Sequence, residues 1–228
     1  MKNISRRSVM AMLGTSPLAA ALVSRVVRGS TLDGIVAPQP KKWREVSGRQ
    51  RFKERHLPDV ALITHEGKKV SFYEDLVKDK MVLINFMYAK CEGVCPGVTS
   101  NLLRVQKALG DRVGKDIFMY SITLKPEQDT PVVLRKYAEA YKVRKGWTFL
   151  TGTADNIELL RRKLGFTDPD PELDADKTNH IGNVRYGNEP LQLWGACPGL
   201  SNASFIAESL LWLDWPKNKK VSGKGVGE

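Results

Sequence analysis

Residues 80–110 read K-M-V-L-I-N-F-M-Y-A-K-C-E-G-V-C-P-G-V-T-S-N-L-L-R-V-Q-K-A-L-G, and no other stretch limits the fold as strongly. Met81 to Met87 is apolar at every position except Asn85. Such a run, without alternation, is how a strand covered on both faces reads. A short loop carrying Cys91 and Cys95 follows. Pro96 suits a first helical turn, and Val98, Leu102, Val105 and Leu109 then recur on one helical face. Gly110 is a stop signal. Two thiols therefore stand where a buried strand hands over to a helix N-terminus. The free amides and positive dipole end there favour thiolate over thiol.

Around this centre the chain alternates strand and helix. Val60 to Thr64 and Val70 to Phe72 read as a hairpin turning at Glu66-Gly67-Lys68, with His65 solvated at the turn. A short helical turn over Tyr73 to Lys78 precedes the buried run. Asp116 to Thr123 is a strand rich in β-formers. Thr130 is a natural N-cap with Pro131 at the first helical position, and the helix continues through Tyr141. Trp147 to Thr151 is a further strand. Thr153 caps a helix carrying Ile157, Leu160 and Leu164. Asp168 to Lys177 reads as an acidic loop, Thr178 to Tyr186 as a strand edge, and Ala203 to Trp212 as a closing amphipathic helix. The order predicts an α/β domain over residues 58–215, with a central mixed sheet that is parallel where strands and helices alternate, helices on its faces and an N-terminal hairpin. The tail 216–228 reads as flexible.

Ahead of the domain, Ser5-Arg6-Arg7 and the apolar segment Val9 to Val23 resemble a twin-arginine export signal within residues 1–28. The apolar part is short beside the roughly twenty residues of a spanning helix, and an uncleaved N-terminal anchor is the alternative. Either way the domain is expected in the periplasm or on the outer face of the cytoplasmic membrane. Residues 29–57 show little periodicity and many Lys and Arg. They read as a basic linker or irregular arm, with His56 at its surface. The net charge of +11 favours anionic partners, either acidic protein patches or a membrane surface. No aromatic-interleaved basic stripe or nucleic-acid motif accompanies it, so nucleic acid is not an expected partner.

Three cysteines in an exported chain is an odd count, and a disulfide framework is excluded as the basis of stability. Cys91-Glu92-Gly93-Val94-Cys95 is a C-x-x-x-C. If it lay on a helix, i and i+4 would share one face and both sulfurs could point at one spot. The spacing leaves room for an ion and also permits a disulfide. Of the three histidines, His180 has the context to reach the pair from the start of a strand. Two thiolates and one imidazole form a soft donor set suited to Cu(I), and to Cu(II) if oxygen completes the shell. Two alternatives stay open. A closed structural zinc site would use Cys91, Cys95, His180 and Cys197. A thiol–disulfide oxidoreductase would use Cys91 and Cys95 alone. Cys197 by itself reads as a packing thiol.

Met81 to Pro96 with its C-E-G-V-C-P ending, L-K-P-E-Q-D-T-P at 124–131, and the isolated His180 together resemble the Sco/SenC family, over roughly Pro58 to Tyr186. The resemblance implies a thioredoxin-like fold and copper held by Cys91, Cys95 and His180, with Asp129 as an acidic loop residue that orders the site. It further implies a metallochaperone and thiol redox role in assembling the Cu(A) centre of cytochrome c oxidase. The implied partners are that enzyme's copper subunit, or another copper-accepting protein, and a thiol reductant. The chain departs from the family at Asn179, where an aspartate usually precedes the histidine, and at Lys125-Pro126, where the loop usually begins D-P. The segment Gly187 to Pro198 is also unlike the usual continuation.

Overall fold

The computed structural model describes residues 47–176 and 182–214. The export segment, the basic arm up to Val46, His180 and the tail lie outside the described residues. The first described element is a helix, α1 (Gly48–His56), capped by the Ser47 hydroxyl accepting from the Gln50 N–H. The sequence reading expected an irregular arm here. α1 buries none of its side chains, so it carries none of the apolar periodicity by which helices are recognised.

Seven strands of the described residues form one mixed sheet in the order β2-β1-β5-β4-β3-β6-β7. β1 (Ala61–Thr64) and β2 (Lys69–Ser71) make the expected hairpin. A π-helical turn, Phe72–Val77, follows it. β3 (Met81–Met87) lies inside the sheet between β4 and β6 and is buried at all seven positions. β4 (Ile117–Thr123) runs parallel to β3, and β5 (Trp147–Gly152) runs parallel to β4. β6 (Asn183–Asn188) lies antiparallel on the other side of β3, and β7 (Leu193–Pro198) pairs antiparallel with β6. The expected strand edge at Thr178 to Tyr186 is thus, over its described part, an interior strand. β7 is a strand that the sequence reading did not foresee.

The helices are α2 (Cys95–Leu109), α3 (Pro131–Ala140), α4 (Ala154–Lys163), α5 (Pro171–Ala175) and α6 (Ala203–Trp212). Thr130 and Thr153 cap α3 and α4 through their hydroxyls, as their positions predict. α5 lies inside the stretch expected to be loop. Asp170 caps it, and the buried Arg161 holds its Asp174. Side chains alternate across the sheet. On one face the Trp147 indole donates to Ser121, whose hydroxyl donates to Asn85, so the polar interruption of β3 is satisfied inside the core. On the other face Phe86 meets Phe166, with ring centroids 4.8 Å apart.

At the end of the sheet where β3 begins, Glu189 is fully buried. It accepts from the Arg49 guanidinium, the Tyr73 hydroxyl at 2.9 Å and the Asp79 N–H at 2.9 Å. Phe52 stacks on Trp194 at 5.8 Å, and the Lys53 ammonium sits 4.1 Å from the centre of the Tyr73 ring. These contacts, rather than an apolar stripe, hold α1 to the domain.

Candidate metal centre

Cys91 and Cys95 lie just beyond the C-terminal end of β3. The chain leaves Met87, turns through a Cys91 N–H to Tyr88 C=O bond of 3.2 Å, and enters α2 at Cys95. The expected loop therefore carries Cys91, while the helix begins one residue earlier than Pro96 and includes Cys95. Only Cys95 is helical, and Cys91 reaches it by the loop folding back. Val94 in the N-cap position offers no side-chain cap. The Cys91 sulfur lies against the start of the helix, accepting from the N–H of Cys95, the first residue of α2, and from that of Gly93.

The two thiols are in contact and unequal. Burial opposes ionisation of Cys91, which is 7% exposed. Hydrogen bonds from the Cys95 thiol, the two amides and the Tyr88 hydroxyl outweigh that burial and hold Cys91 below the ordinary thiol range. Cys95 is 2% exposed, and burial, followed by its bond to Cys91, pushes it up to about 12. Burial and Cys91 likewise raise Tyr88 to about 12, so its hydroxyl stays a donor. Cys91 is then the thiol that ionises first. Alkylation of the reduced chain is expected to modify Cys91 well before Cys95, with a rate that rises through a pH below that of a free thiol. Peptide mapping after timed labelling reads this, and equal rates at the two sulfurs would contradict it.

A buried carboxylate braces the loop. Asp129, 2% exposed, accepts from the Ala89 N–H at 3.0 Å and from the Thr123 hydroxyl at 2.6 Å. That ties the loop before α3 to the turn that presents Cys91. Thr123 in turn accepts from the Lys125 N–H at 2.9 Å. Lys125 begins the L-K-P-E-Q-D-T-P loop. Its ammonium lies 4.1 Å from the centre of the Tyr88 ring, over the side chain that donates to Cys91.

One flank of the segment bearing His180 meets this loop. A Cβ on Gly182 would lie 2.7 Å from the Val94 side chain, between the two cysteines in sequence, and Gly182 accepts from the Gly199 N–H at 2.7 Å. On the other flank, the charge of Asp176 acts on the Tyr88 hydroxyl. His180 itself lies outside the described residues. His56 packs its ring on Phe52 in α1, with centroids 4.8 Å apart. His65, expected to be solvated, instead accepts the Phe149 N–H through Nδ1 at 3.1 Å. Cys197 is buried in β7 opposite Val184, and burial raises its thiol. Among the described residues no third His, Cys, Asp or Glu joins the two sulfurs. Cys197 in particular stays apart, so the described residues do not form the closed zinc arrangement.

A family model described as SCO1/SenC matches residues 48–212. The chain belongs to that family. A putative copper-binding protein of Stutzerimonas stutzeri is 27% identical over 134 residues, which cover 58% of this chain and 64% of that protein. The SCO1 protein homolog of Bacillus subtilis is 34% identical over 109 residues, 46% of this chain and 55% of the relative. The matched part thus spans less than two thirds of either relative. The Bradyrhizobium japonicum ScoI structure with copper bound has a TM-score of 0.56 at 21% identity, covering 68% of this chain and 98% of that one. A Bacillus anthracis SCO1/SenC family lipoprotein has a TM-score of 0.58 at 20% identity, covering 70% and 95%. These likenesses establish the thioredoxin-like Sco fold, whose sheet carries the thiol loop at the end of a central strand.

Proposed function

We propose that this chain is a copper-binding metallochaperone and thiol redox protein. It would hold copper through Cys91, Cys95 and His180 and serve assembly of the Cu(A) centre of cytochrome c oxidase, or of a related copper enzyme. The observation that carries the reading is the contact of two buried sulfurs at the start of α2. A soft ion needs a further donor there. With His56 and His65 engaged elsewhere, His180 is the histidine left to supply it. Two peptide links separate His180 from Gly182, so their Cα atoms lie within about 7 Å of each other. Gly182 packs on Val94 inside the C-x-x-x-C. The metal is cargo, received and passed on.

In this mechanism Cys91 offers the first thiolate. Its amide and hydroxyl donors steady the charge before metal arrives. Cys95 gives up its proton on binding, so copper affinity rises with pH over the range where Cys95 remains protonated. The Ser5-Arg6-Arg7 leader and the apolar segment after it support a periplasmic or outer-face location. The relatives' names support the copper role.

The test is a copper titration of the reduced chain. His180→Ala is expected to weaken Cu(II) binding and to bleach the thiolate-to-copper absorption. An unchanged spectrum would remove His180 from the site. The unequal thiols also favour a second reading, thiol–disulfide exchange without a stable copper site. That reading expects disulfide reduction that survives loss of His180.

A further inference from the structure

The end of the domain opposite the thiols carries a patch of cations that the copper and thiol chemistry does not use. Lys107, Lys115, Lys142, Arg144 and Lys145 are all exposed there. None of these side chains forms an ion pair or hydrogen bond among the described residues, whereas Lys53, Lys78, Arg112, Arg161 and Arg162 are all paired with carboxylates. Two contacts draw Lys107, Lys115, Arg144 and Lys145 together, and Lys142 precedes Arg144 by two residues. Gln106, next to Lys107, donates to the Arg144 and Lys145 carbonyls and accepts from the Arg144 N–H. Gly114 and Gly146 sit backbone against backbone. A Cβ on Gly146 would lie 2.4 Å from the Gly114 nitrogen, which brings Lys115 beside Lys145. The neighbouring exposed acids are Asp111 and Glu139, and Asp116 is taken by Arg112. The patch therefore keeps a positive excess.

Its position is fixed by the sheet. Met81 pairs with Ile117 and Met119 with Trp147, so Lys115 and Lys145 stand at the end where β3 begins. The thiols follow Met87 at the other end. Seven strand residues at about 3.3 Å each separate the two ends by roughly 20 Å. Glu189 and Asp79 fasten α1 at the end bearing the cations, so the polypeptide preceding Ser47 joins the domain there.

We infer that this basic end rests on an anionic lipid surface, with the thiol end directed away from it toward the aqueous side. A set of unpaired cations next to the attachment of the N-terminal segment fits a layer of phosphate headgroups, which attracts each nearby Lys or Arg without needing a shaped pocket. The inference rests on the proposal that the domain works beside a membrane. It does not depend on the copper site.

The test uses the full chain and vesicles of equal parts phosphatidylglycerol and phosphatidylcholine, with pure phosphatidylcholine vesicles as the neutral reference. The apolar and basic residues near the N-terminus contribute in every form, so the quantity read is the difference between variants. Lys107→Gln, Arg144→Gln and Lys145→Gln together are expected to lower partitioning into the anionic vesicles about tenfold or more. Partitioning into the neutral vesicles should stay unchanged. The difference should vanish in high salt, where screening shortens to about 3 Å at 1 M. Copper titration of the same variant should match the parent, because the patch is remote from the thiols. Circular dichroism checks its fold, and single Lys115→Gln and Lys142→Gln variants repeat the measurement elsewhere in the patch. Equal partitioning of parent and variants into anionic vesicles would overturn the inference and leave an acidic protein as the partner for this face. Lost copper binding in the parent with retained vesicle discrimination would instead sink the copper reading alone.

Discussion

Serine at position 95 is expected to abolish tight copper binding by the reduced chain. Cys95 is one of only two donors that the described residues bring together. A hydroxyl is a hard, weakly acidic donor and a poor replacement for thiolate toward Cu(I). Its loss leaves one sulfur and the proposed imidazole. The drop should exceed the roughly 10- to 100-fold typical of removing a hydrogen-bonding partner of a ligand. Tyr88→Phe provides that milder comparison, since the Tyr88 hydroxyl donates to Cys91 without being proposed as a ligand. It should fall within the 10- to 100-fold range, about one to two orders of magnitude. Competition against a Cu(I) chelator under reductant measures both. If Cys95→Ser kept the parent's affinity, the site would have to be sought elsewhere, with Cys197 the remaining thiol.

The second large effect concerns stability. Glu189→Ala is expected to cost about 1–3 kcal/mol, because it leaves the buried Tyr73 hydroxyl and the Asp79 N–H without their acceptor, while the part-exposed Arg49 keeps Asp79 and water. Urea unfolding measures the loss. Hydrogen exchange should place the largest change in α1, which buries no side chain of its own and depends on this bond. Burial works against the Glu189 charge, but Arg49, the Asp79 N–H and Tyr73 overcome it and hold the carboxyl below its ordinary value of 4.5. The sign follows from linkage. The group contributes stability that is fully present above the unfolded-state value and is lost as pH falls through the lower folded-state value. The parent should therefore lose stability on the acid side by an amount that Glu189→Ala does not show. Identical acid profiles would mean that Glu189 is not the group responsible.

The central strand and its helix were legible because their signals are local. Seven consecutive buried positions and one apolar helical face leave few alternatives for residues 81–109. α1 was not legible for the opposite reason. Its decisive partner, Glu189, is 140 residues away from Arg49, and no stripe along the helix announces it. β7 was hidden by being half exposed and by containing Gly195 and Pro198. Gly187 and Gly195 are there to seat rings, Trp194 against one and Tyr186 against the other, a cross-strand fit that only pairing displays. The thiols were expected to meet, and they do, although a loop closing on a helix end brings them together rather than helical periodicity. The bracing of the thiol loop by Asp129, through the Ala89 N–H, arises between segments 40 residues apart, and the donation from Tyr88 to Cys91 depends on how the loop between them turns. The Lys125-Pro126 start of the loop before α3 was visible in sequence, but the seat of Lys125 over the Tyr88 ring was not.

The sulfur that lies against the start of α2 has a thermodynamic corollary. Every donor that steadies the Cys91 thiolate loses its anion when the two sulfurs join in a disulfide. The same donors therefore weigh against the oxidised form and shift the couple toward a more positive reduction potential. A protein built this way keeps its sulfurs open until a partner withdraws the electrons.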